Sequence, residues 1–291
     1  MSDRDRERAA AKVNLCLFLG GPRPDGRHEL VTLFESVTLF DELELEVLPS
    51  DGEDAVVCPG VEGPNLVEDA LRELRAEGWP GPPVRIEIAK RIPVAAGLGG
   101  GSADAAAALR LAHRISPLPQ DVLLSIARRL GADVPSQLRP GISLGTGAGD
   151  QVSPRPAPAE HAVLIVTLPM MLSTPDVYRE ADRLGLTRSA SQLESLRGRL
   201  EAGLDAGRRP EESLLVNDLE PAAVSLCPPV LEALALARGT GADRAMVSGS
   251  GPTVFGLYWG PEARARAERG AAQIPGAVAA APIASWPCGT I

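Results

Sequence analysis

Residues 93–110, which read PVAAGLGGGSADAAAALR, constrain the fold more than any other part of the chain. Four glycines stand at positions 97, 99, 100 and 101, and the alanine-rich run that follows them is typical of a helix. Before them, residues 84–92 alternate apolar and polar side chains with the period of a strand. A glycine-rich loop between a strand and a helix brings main-chain amides and the helix dipole close to an anion. The sequence therefore predicts a site for a polyphosphate.

This loop lacks the motifs of several other nucleotide sites. No lysine follows the glycines as the P-loop requires, and Ser102 stands where the dinucleotide pattern needs its last glycine. The H-R-D and D-F-G motifs of protein kinases are missing from the sequence. A tight turn packed on a helix is the alternative. We expect Ser102 to cap the helix rather than to reach a phosphate or a metal. Asp104 would repel a triphosphate, so we expect it to point away or to meet a bound cation.

Size, charge and cysteine spacing narrow the class of protein. A chain of 291 residues has room for one large domain or two, and a net charge of −9 disfavours nucleic acid as a partner. The four cysteines show no C-x-x-C spacing, so we expect neither a zinc site nor disulfides. The charged N-terminus does not resemble a secretory signal, and no run reaches the roughly 18 apolar residues of a membrane helix. We therefore expect a cytoplasmic protein with no membrane partner.

Hydrophobic periodicity predicts alternating strands and helices in two α+β domains. The strands are expected at 9–19, 30–39, 42–48, 84–92, 162–168, 244–248, 253–258 and 277–284. The helices are expected at 65–77, 102–115, 119–130, 175–184, 189–206, 228–237 and 261–272. Residues 30–39 and 42–48 read as a hairpin or meander, and the proline-rich residues 151–160 read as a connector. We place a domain boundary near residue 155, which gives domains 1–155 and 156–291.

Two charged residues have positions that allow either a structural or a functional interpretation. Lys12 shares one face of the first strand with Asn14, which fits a solvated edge strand or a face that borders a site. Asp133 follows a predicted helix end, where it could make local hydrogen bonds or act as a general base. Pro135 is expected to hold Val134 in extended geometry and so to fix how Asp133 is presented.

The glycine loop and four further segments resemble one family. PVAAGLGGGSADAA at 93–106 is similar to the central loop of the GHMP kinase superfamily. Within it, the other segments resemble kinases of 4-diphosphocytidyl-2-C-methyl-D-erythritol, an intermediate of non-mevalonate isoprenoid (terpenoid) biosynthesis. These segments are AKVNLCLFLGGPRPDGRHEL at 11–30, LGADVP at 130–135, NDLE at 217–220 and VSGSGPTVF at 247–255. The matches run in order over nearly the whole chain.

This resemblance implies a fold, an activity and a set of site residues. The fold would be a ribosomal-protein-S5-like ATP-binding domain followed by a ferredoxin-like domain, with the site in the cleft between them. The activity would be transfer of the γ-phosphoryl group of ATP, with Mg²⁺, to the 2-hydroxyl of the substrate. Lys12 and Asp133 would be the catalytic pair, and Asn14 and His28 would contact the cytidine substrate. The ATP loop would comprise Pro93, Val94, Ala95, Ala96, Gly97, Leu98, Gly99, Gly100, Gly101, Ser102 and Ala103.

The chain departs from the family pattern at one substrate position. Arg27 stands where the family usually has a tyrosine that packs on the nucleoside. The flat guanidinium of Arg27 could stack on a base or pair with a diphosphate, and Tyr178 stands where the family often has a stacking aromatic. The alternatives are a homoserine or mevalonate type of kinase, a nucleotide-binding module without catalysis, and a structural or partner-binding protein. Either a monomer or a homodimer fits this interpretation.

Overall fold

The structure, a computed structural model, describes residues 5–283 and contains two sheets flanked by helices. The strands are β1 (Asp5–Pro22), β2 (His28–Val47), β3 (Ala55–Val57), β4 (Val84–Ala89), β5 (Ile142–Thr146), β6 (Gln151–Pro154), β7 (His161–Val166), β8 (Arg244–Val247), β9 (Val254–Trp259) and β10 (Val278–Ala280). The helices are α1 (Leu66–Ala76), α2 (Gly100–Ile115), α3 (Gln120–Leu130), α4 (Val134–Leu138), α5 (Thr174–Leu184), α6 (Ala190–Asp205), α7 (Glu220–Leu226), α8 (Pro229–Gly239) and α9 (Ala263–Ala271), with a 3-10 turn at Glu212–Leu214. Among residues 5–283, none of the helices combines the length and apolar character needed to span a bilayer.

The first sheet is organised around β2, which runs unbroken for 20 residues. The strand order is β3-β4-β2-β5-β6, and β1 pairs with β2 as well. The predicted hairpin was therefore wrong, because residues 30–39 and 42–48 belong to one strand. Phe40 and Asp41, which lie between the two predicted strands, pair in register with Ala10 and Ala9.

The glycine loop connects β4 to α2, as the sequence predicts, but the helix begins two residues earlier than expected. Its N-cap is Gly99, which has a left-handed backbone with φ of 67° and makes no side-chain cap hydrogen bond. Ser102 lies inside the first turn of α2, so the prediction that it caps the helix was wrong. A left-handed N-cap is adopted most readily by glycine, which explains why a serine does not occupy that place.

Asp133 lies at the N-cap of α4, a helix that the sequence analysis missed. The expected extended geometry at Val134 was wrong, because Val134 is the first residue of this five-residue helix. Pro135 falls in the first turn, where a missing N–H removes no intrahelical hydrogen bond. The backbone of Asp133 is itself helical, with φ of −83° and ψ of −21°.

The second sheet has the order β10-β7-β9-β8. The strands of the first sheet end at Pro154 and those of the second begin at His161, whereas the connector was predicted over 151–160. The boundary near residue 155 stays a prediction. Residue 284 of the last predicted strand and Cys288 lie outside the described residues.

A shared hydrophobic core and a buried ion pair join the two sheets. Val13 and Leu33 of the first sheet belong to the same buried cluster as Val163 and Phe255 of the second. His161 Nε2 lies 2.7 Å from Glu35 Oε1, and its Nδ1 lies 2.8 Å from the Ala159 carbonyl oxygen. Since both ring nitrogens face acceptors, the arrangement favours an imidazolium. Burial alone lowers the pKa of His161, but the Glu35 carboxylate and the Ala159 carbonyl oxygen together outweigh burial and raise it.

Glu35→Gln removes the charge of this pair at nearly constant size, and we expect it to lower the free energy of unfolding by about 2 kcal/mol. The pKa of His161 in the folded chain lies above its ordinary value of 6.5. The stabilisation is therefore complete below about pH 6.5 and is lost as the pH rises through the raised value. Urea denaturation should show a larger loss at about pH 6 than at about pH 9.

Glu42→Gln on the same strand is the matched control. Glu42 pairs with Arg91 at 3.4 Å, but its side chain is 46% exposed, so its loss should cost less than about 1 kcal/mol. If Glu35→Gln lowers the free energy of unfolding equally at both pH values, His161 is not protonated in this pair.

Candidate active site

Lys12 lies where β1, the glycine loop and the N-terminus of α4 converge. Its side chain is 5% exposed, and its Nζ lies 3.4 Å from Asp133 Oδ2. The same Nζ donates to Asn14 Oδ1 at 2.8 Å and to the Gly97 carbonyl oxygen at 3.2 Å. The structure thus brings together the two residues proposed as a catalytic pair from positions 121 residues apart in the sequence. Their catalytic roles stay predictions.

A cavity of about 320 Å³ opens in front of this pair, between the first sheet, α5 and the turn after β8. Lys12, Asn14 and Asp133 line it from the first half of the chain, and Tyr178, Gly249 and Ser250 line it from the second half. Burial raises the pKa of Tyr178, and the nearby Asp133 carboxylate adds to the effect. The cavity therefore presents an ammonium, a carboxylate and a neutral phenol to a bound molecule.

The other two predicted substrate residues, His28 and Arg27, do not line this cavity. The His28 ring lies 5.2 Å from the Tyr178 ring. The Nε2 atom of His28 lies 2.8 Å from Asp182 Oδ1. Arg27 has a side chain that is 45% exposed, and its Nη2 lies 2.9 Å from Asp25 Oδ2 and 3.4 Å from Asp150 Oδ2. His28 thus supports Tyr178, whereas Arg27 is held by two carboxylates at the surface.

A second cavity of about 330 Å³ lies between the start of α1, the end of β4 and the start of α2. Nine of the eleven predicted ATP-loop residues line it: Pro93, Val94, Ala95, Ala96, Leu98, Gly99, Gly100, Gly101 and Ser102. Gly97 lines the first cavity instead, and Ala103 is buried in the core with 1% exposure and lines neither. Gly99 and Ser102 line both cavities, so the two spaces meet at the N-terminus of α2.

Two carboxylates and one ammonium, which the sequence analysis did not group, hold the two ends of the glycine loop. Lys90 Nζ lies 2.5 Å from Asp41 Oδ2 and 2.7 Å from Asp104 Oδ2. Asp41 also accepts hydrogen bonds from the backbone N–H groups of Arg91 and Ile92. The cation that Asp104 meets is therefore the Lys90 side chain, and whether it also meets a bound cation stays a prediction. Burial raises the pKa of Asp104 to about 7, although Lys90 opposes that rise.

The glycine-rich turn after β8 closes against the glycine loop. Ser248 Oγ donates to the Gly97 carbonyl oxygen at 3.1 Å. Gly97 has φ of 77°, and a Cβ there would lie 2.5 Å from the Ser248 carbonyl oxygen. Gly99 has φ of 67°, and a Cβ there would lie 2.9 Å from Lys12 Cγ. Contacts within the protein thus require glycine at these two positions, in addition to any requirement that a bound phosphate imposes.

We expect Gly99→Val to weaken ATP binding at least tenfold, which is about 1.4 kcal/mol. The side chain would meet the aliphatic part of Lys12 and would strain the left-handed backbone. Isothermal titration calorimetry with ATP measures the effect. Gly198→Val is the control, because Gly198 lies in α6 with no atom within 4 Å of the added Cβ. Unchanged affinity in the Gly99 variant would contradict this account of the loop.

Comparisons with known proteins agree with this geometry. The model of the GHMP kinase N-terminal domain matches residues 65–148, and that of the GHMP kinase C-terminal domain matches residues 194–276. A 4-diphosphocytidyl-2-C-methyl-D-erythritol kinase from Cutibacterium acnes is 41% identical over 262 residues, covering 84% of this chain and 83% of the relative. The protein of the same name from Salinispora arenicola is 40% identical over 260 residues, covering 85% and 81%.

Solved structures support the same assignment. A crystal structure of a 4-(cytidine 5'-diphospho)-2C-methyl-D-erythritol kinase matches with a TM-score of 0.75 and 34% identity, covering 96% of this chain and 99% of that one. Homoserine kinase from Cytophaga hutchinsonii matches with a TM-score of 0.70 at 21% identity, covering 98% and 96%, which shows the fold alone. The expected α+β GHMP kinase fold is confirmed. The chain belongs to the 4-diphosphocytidyl-2-C-methyl-D-erythritol kinase family of the GHMP kinases.

Proposed function

We propose that this chain transfers the γ-phosphoryl group of ATP to the 2-hydroxyl of 4-diphosphocytidyl-2-C-methyl-D-erythritol. The observation that carries the proposal is the approach of Lys12 Nζ to Asp133 Oδ2, at 3.4 Å, beside the point where two cavities meet. One cavity is lined by the glycine loop and suits a nucleotide. The other is lined by the charged pair and Tyr178, and it suits the alcohol substrate.

ATP fits the second cavity for reasons of charge and of shape. The glycine loop presents main-chain amides, and the 16-residue helix α2 directs the positive end of its dipole at the same place. Since Gly99 and Ser102 line both cavities, the terminal phosphate would lie at their junction. A nucleotide bound in this way would direct its γ-phosphorus at the alcohol.

The charged pair supplies the proton chemistry. The 2-hydroxyl oxygen forms a bond to the γ-phosphorus, its proton passes to Asp133, and the bond to the bridging oxygen of ADP breaks. Lys12 stabilises negative charge on the transferring group. Because phosphoryl transfer depends mainly on alignment and charge neutralisation, a fixed ammonium and a fixed carboxylate are sufficient side-chain chemistry.

The donor set fits a magnesium ion that is carried by the nucleotide. Residues 5–283 contain no group of three or more His, Cys, Asp or Glu side chains placed to hold a metal. Mg²⁺ commonly binds through substrate phosphates, waters and one or two protein oxygens. The Ser102 hydroxyl, at the junction of the two cavities, is a protein oxygen that would hold it. When bound, Mg²⁺ would neutralise the phosphate charge.

Tyr178 is the side chain best placed to pack on the cytosine base. It lines the first cavity and is supported by the His28 ring. Arg27 would contact a part of the substrate that extends beyond this cavity, since its guanidinium is held at the surface by Asp25 and Asp150. We also propose the domain boundary near residue 155, in the segment between β6 and β7.

A coupled assay of ADP release tests the proposal. Turnover is expected with 4-diphosphocytidyl-2-C-methyl-D-erythritol, and phosphorus NMR should show a new phosphate monoester on the product. Homoserine and mevalonate in the same assay should give no turnover. ADP release with one of these alcohols instead would overturn the substrate assignment. ATP binding without ADP release from any alcohol would overturn the kinase assignment.

A further inference from the structure

We propose that Thr32 is a positioning residue for Lys12 and acts through Asn14. Thr32 lies on β2, next to β1, and pairs in register with Leu17. Its side chain and that of Asn14 are almost fully buried, with exposures of 1% and 2%. The inference rests on the proposed function, because it concerns how Lys12 is held for phosphoryl transfer.

The first step is to assign which hydrogen bond the Thr32 hydroxyl donates and which it accepts. Thr32 Oγ1 donates to the Cys16 carbonyl oxygen at 2.7 Å. A hydroxyl has one proton, so Thr32 Oγ1 can only accept from its other neighbour. That neighbour is Asn14, whose Nδ2 lies 2.8 Å away. The backbone of β1 therefore fixes the Thr32 hydroxyl as an acceptor toward Asn14.

The second step follows at the Asn14 amide. Because Nδ2 must face Thr32, Oδ1 must face the other way, and it lies 2.8 Å from Lys12 Nζ. The opposite orientation would place the amide N–H₂ group against an ammonium that carries only donors. Thr32 and Lys12 thus require the same orientation of the Asn14 amide, and Thr32 anchors its Nδ2 end.

The third step concerns the contacts that hold the Lys12 ammonium in place. Its Nζ has three oxygen neighbours: Asn14 Oδ1 at 2.8 Å, the Gly97 carbonyl oxygen at 3.2 Å and Asp133 Oδ2 at 3.4 Å. The first two contacts are hydrogen bonds that hold the ammonium in place, and Asp133 is its ion-pair partner. Loss of the Thr32 hydroxyl would release the Asn14 amide and hence the orientation of Lys12 toward the reacting groups.

Thr32→Val tests the inference, because valine has nearly the same shape but no hydroxyl. We expect kcat to fall by about tenfold to a hundredfold, since a small misplacement of a reacting group has an effect of this size. The KM for ATP should stay within about threefold, because Thr32 does not line the nucleotide cavity. Thr32→Ser keeps the hydroxyl and should restore kcat to within about threefold of the parent. Equal kcat for Thr32→Val and the parent would overturn the inference, and so would equal losses for both variants.

A spectroscopic measurement separates positioning from loss of stability. The chain has only two lysines, Lys12 and Lys90, so ¹⁵N-lysine labelling gives two side-chain ammonium signals, assigned with Lys90→Arg. We expect Thr32→Val to shift the Lys12 signal and leave the Lys90 signal in place, and Thr32→Ser to shift neither. An unmoved Lys12 signal would overturn the inference even if activity falls. The Lys12 signal can be measured without turnover, so it tests the positioning of Lys12 independently of the proposed function. Failure of the proposed function would show separately, as full activity in Lys12→Met.

Discussion

Asp133→Asn is expected to lower kcat for phosphoryl transfer by about 10²–10⁴-fold, the usual range for a positioned general base. Asparagine has the shape of aspartate and can occupy the same place near Lys12, but its amide cannot take the proton of the 2-hydroxyl. The KM values for ATP and for the alcohol should change much less than kcat. Steady-state kinetics with each substrate varied in turn measures both parameters.

The fold should tolerate this substitution. Asp133 is the N-cap of α4, but its side chain makes no cap hydrogen bond and is 32% exposed. Asp121→Asn provides the same chemical change at an exposed position in the first turn of α3, and it should leave kcat unchanged. A loss of less than tenfold in Asp133→Asn, with the fold intact by circular dichroism, would show that the proton is accepted elsewhere.

The strand, loop and helix around residue 100 could be predicted because local sequence determines them. Residues 84–89 alternate in the observed strand, and glycines permit the left-handed backbone at positions 97 and 99. The alanine run then packs in the core as α2, with Ala105 to Ala108 fully buried. Each of these elements depends on short-range pattern and backbone preference, which are visible in one sequence.

The continuous strand β2 could not be predicted, because its continuity depends on partners distant in the sequence. Asp41 interrupts the apolar pattern between the two strands that the sequence predicts. In the structure its carboxylate is buried and bonds to Lys90 and to the backbone N–H groups of Arg91 and Ile92. A buried aspartate in mid-strand is stable only where such partners are supplied, and the sequence alone does not show them.

In the candidate site, too, only the features that depend on local sequence could be predicted. The period of a strand places Lys12 and Asn14 on one face of β1, so their proximity was predictable. The contribution of Thr32 was not, because it depends on the register of β1 against β2. The family resemblance identified Asp133 as the partner of Lys12. The helix α4, which begins beside Asp133, could not be predicted, because its segment contains both glycine and proline and shows no clear helical pattern.

Lys12→Met is expected to lower kcat by about 10²–10³-fold, the size of effect seen when one preorganised donor to a developing charge is removed. Methionine has a similar length and no charge. It would leave Asp133 without its ammonium partner and would remove a cation that lines the first cavity. Calorimetry with ATP and steady-state kinetics together show whether the loss lies in binding or in transfer.

Lys12→Arg restores the charge but should not restore the rate. The space around the ammonium is bounded by main chain, since a Cβ on Gly249 would lie 3.1 Å from Lys12 Nζ and one on Gly99 would lie 2.9 Å from Lys12 Cγ. A planar guanidinium is larger than an ammonium and would displace the Gly249 turn or the glycine loop. If Lys12→Met keeps more than a tenth of the parent kcat, the transferring phosphoryl group is stabilised by other groups. If Lys12→Arg is fully active, charge alone matters, and the close fit of Lys12 between the two glycine turns has no part in the rate.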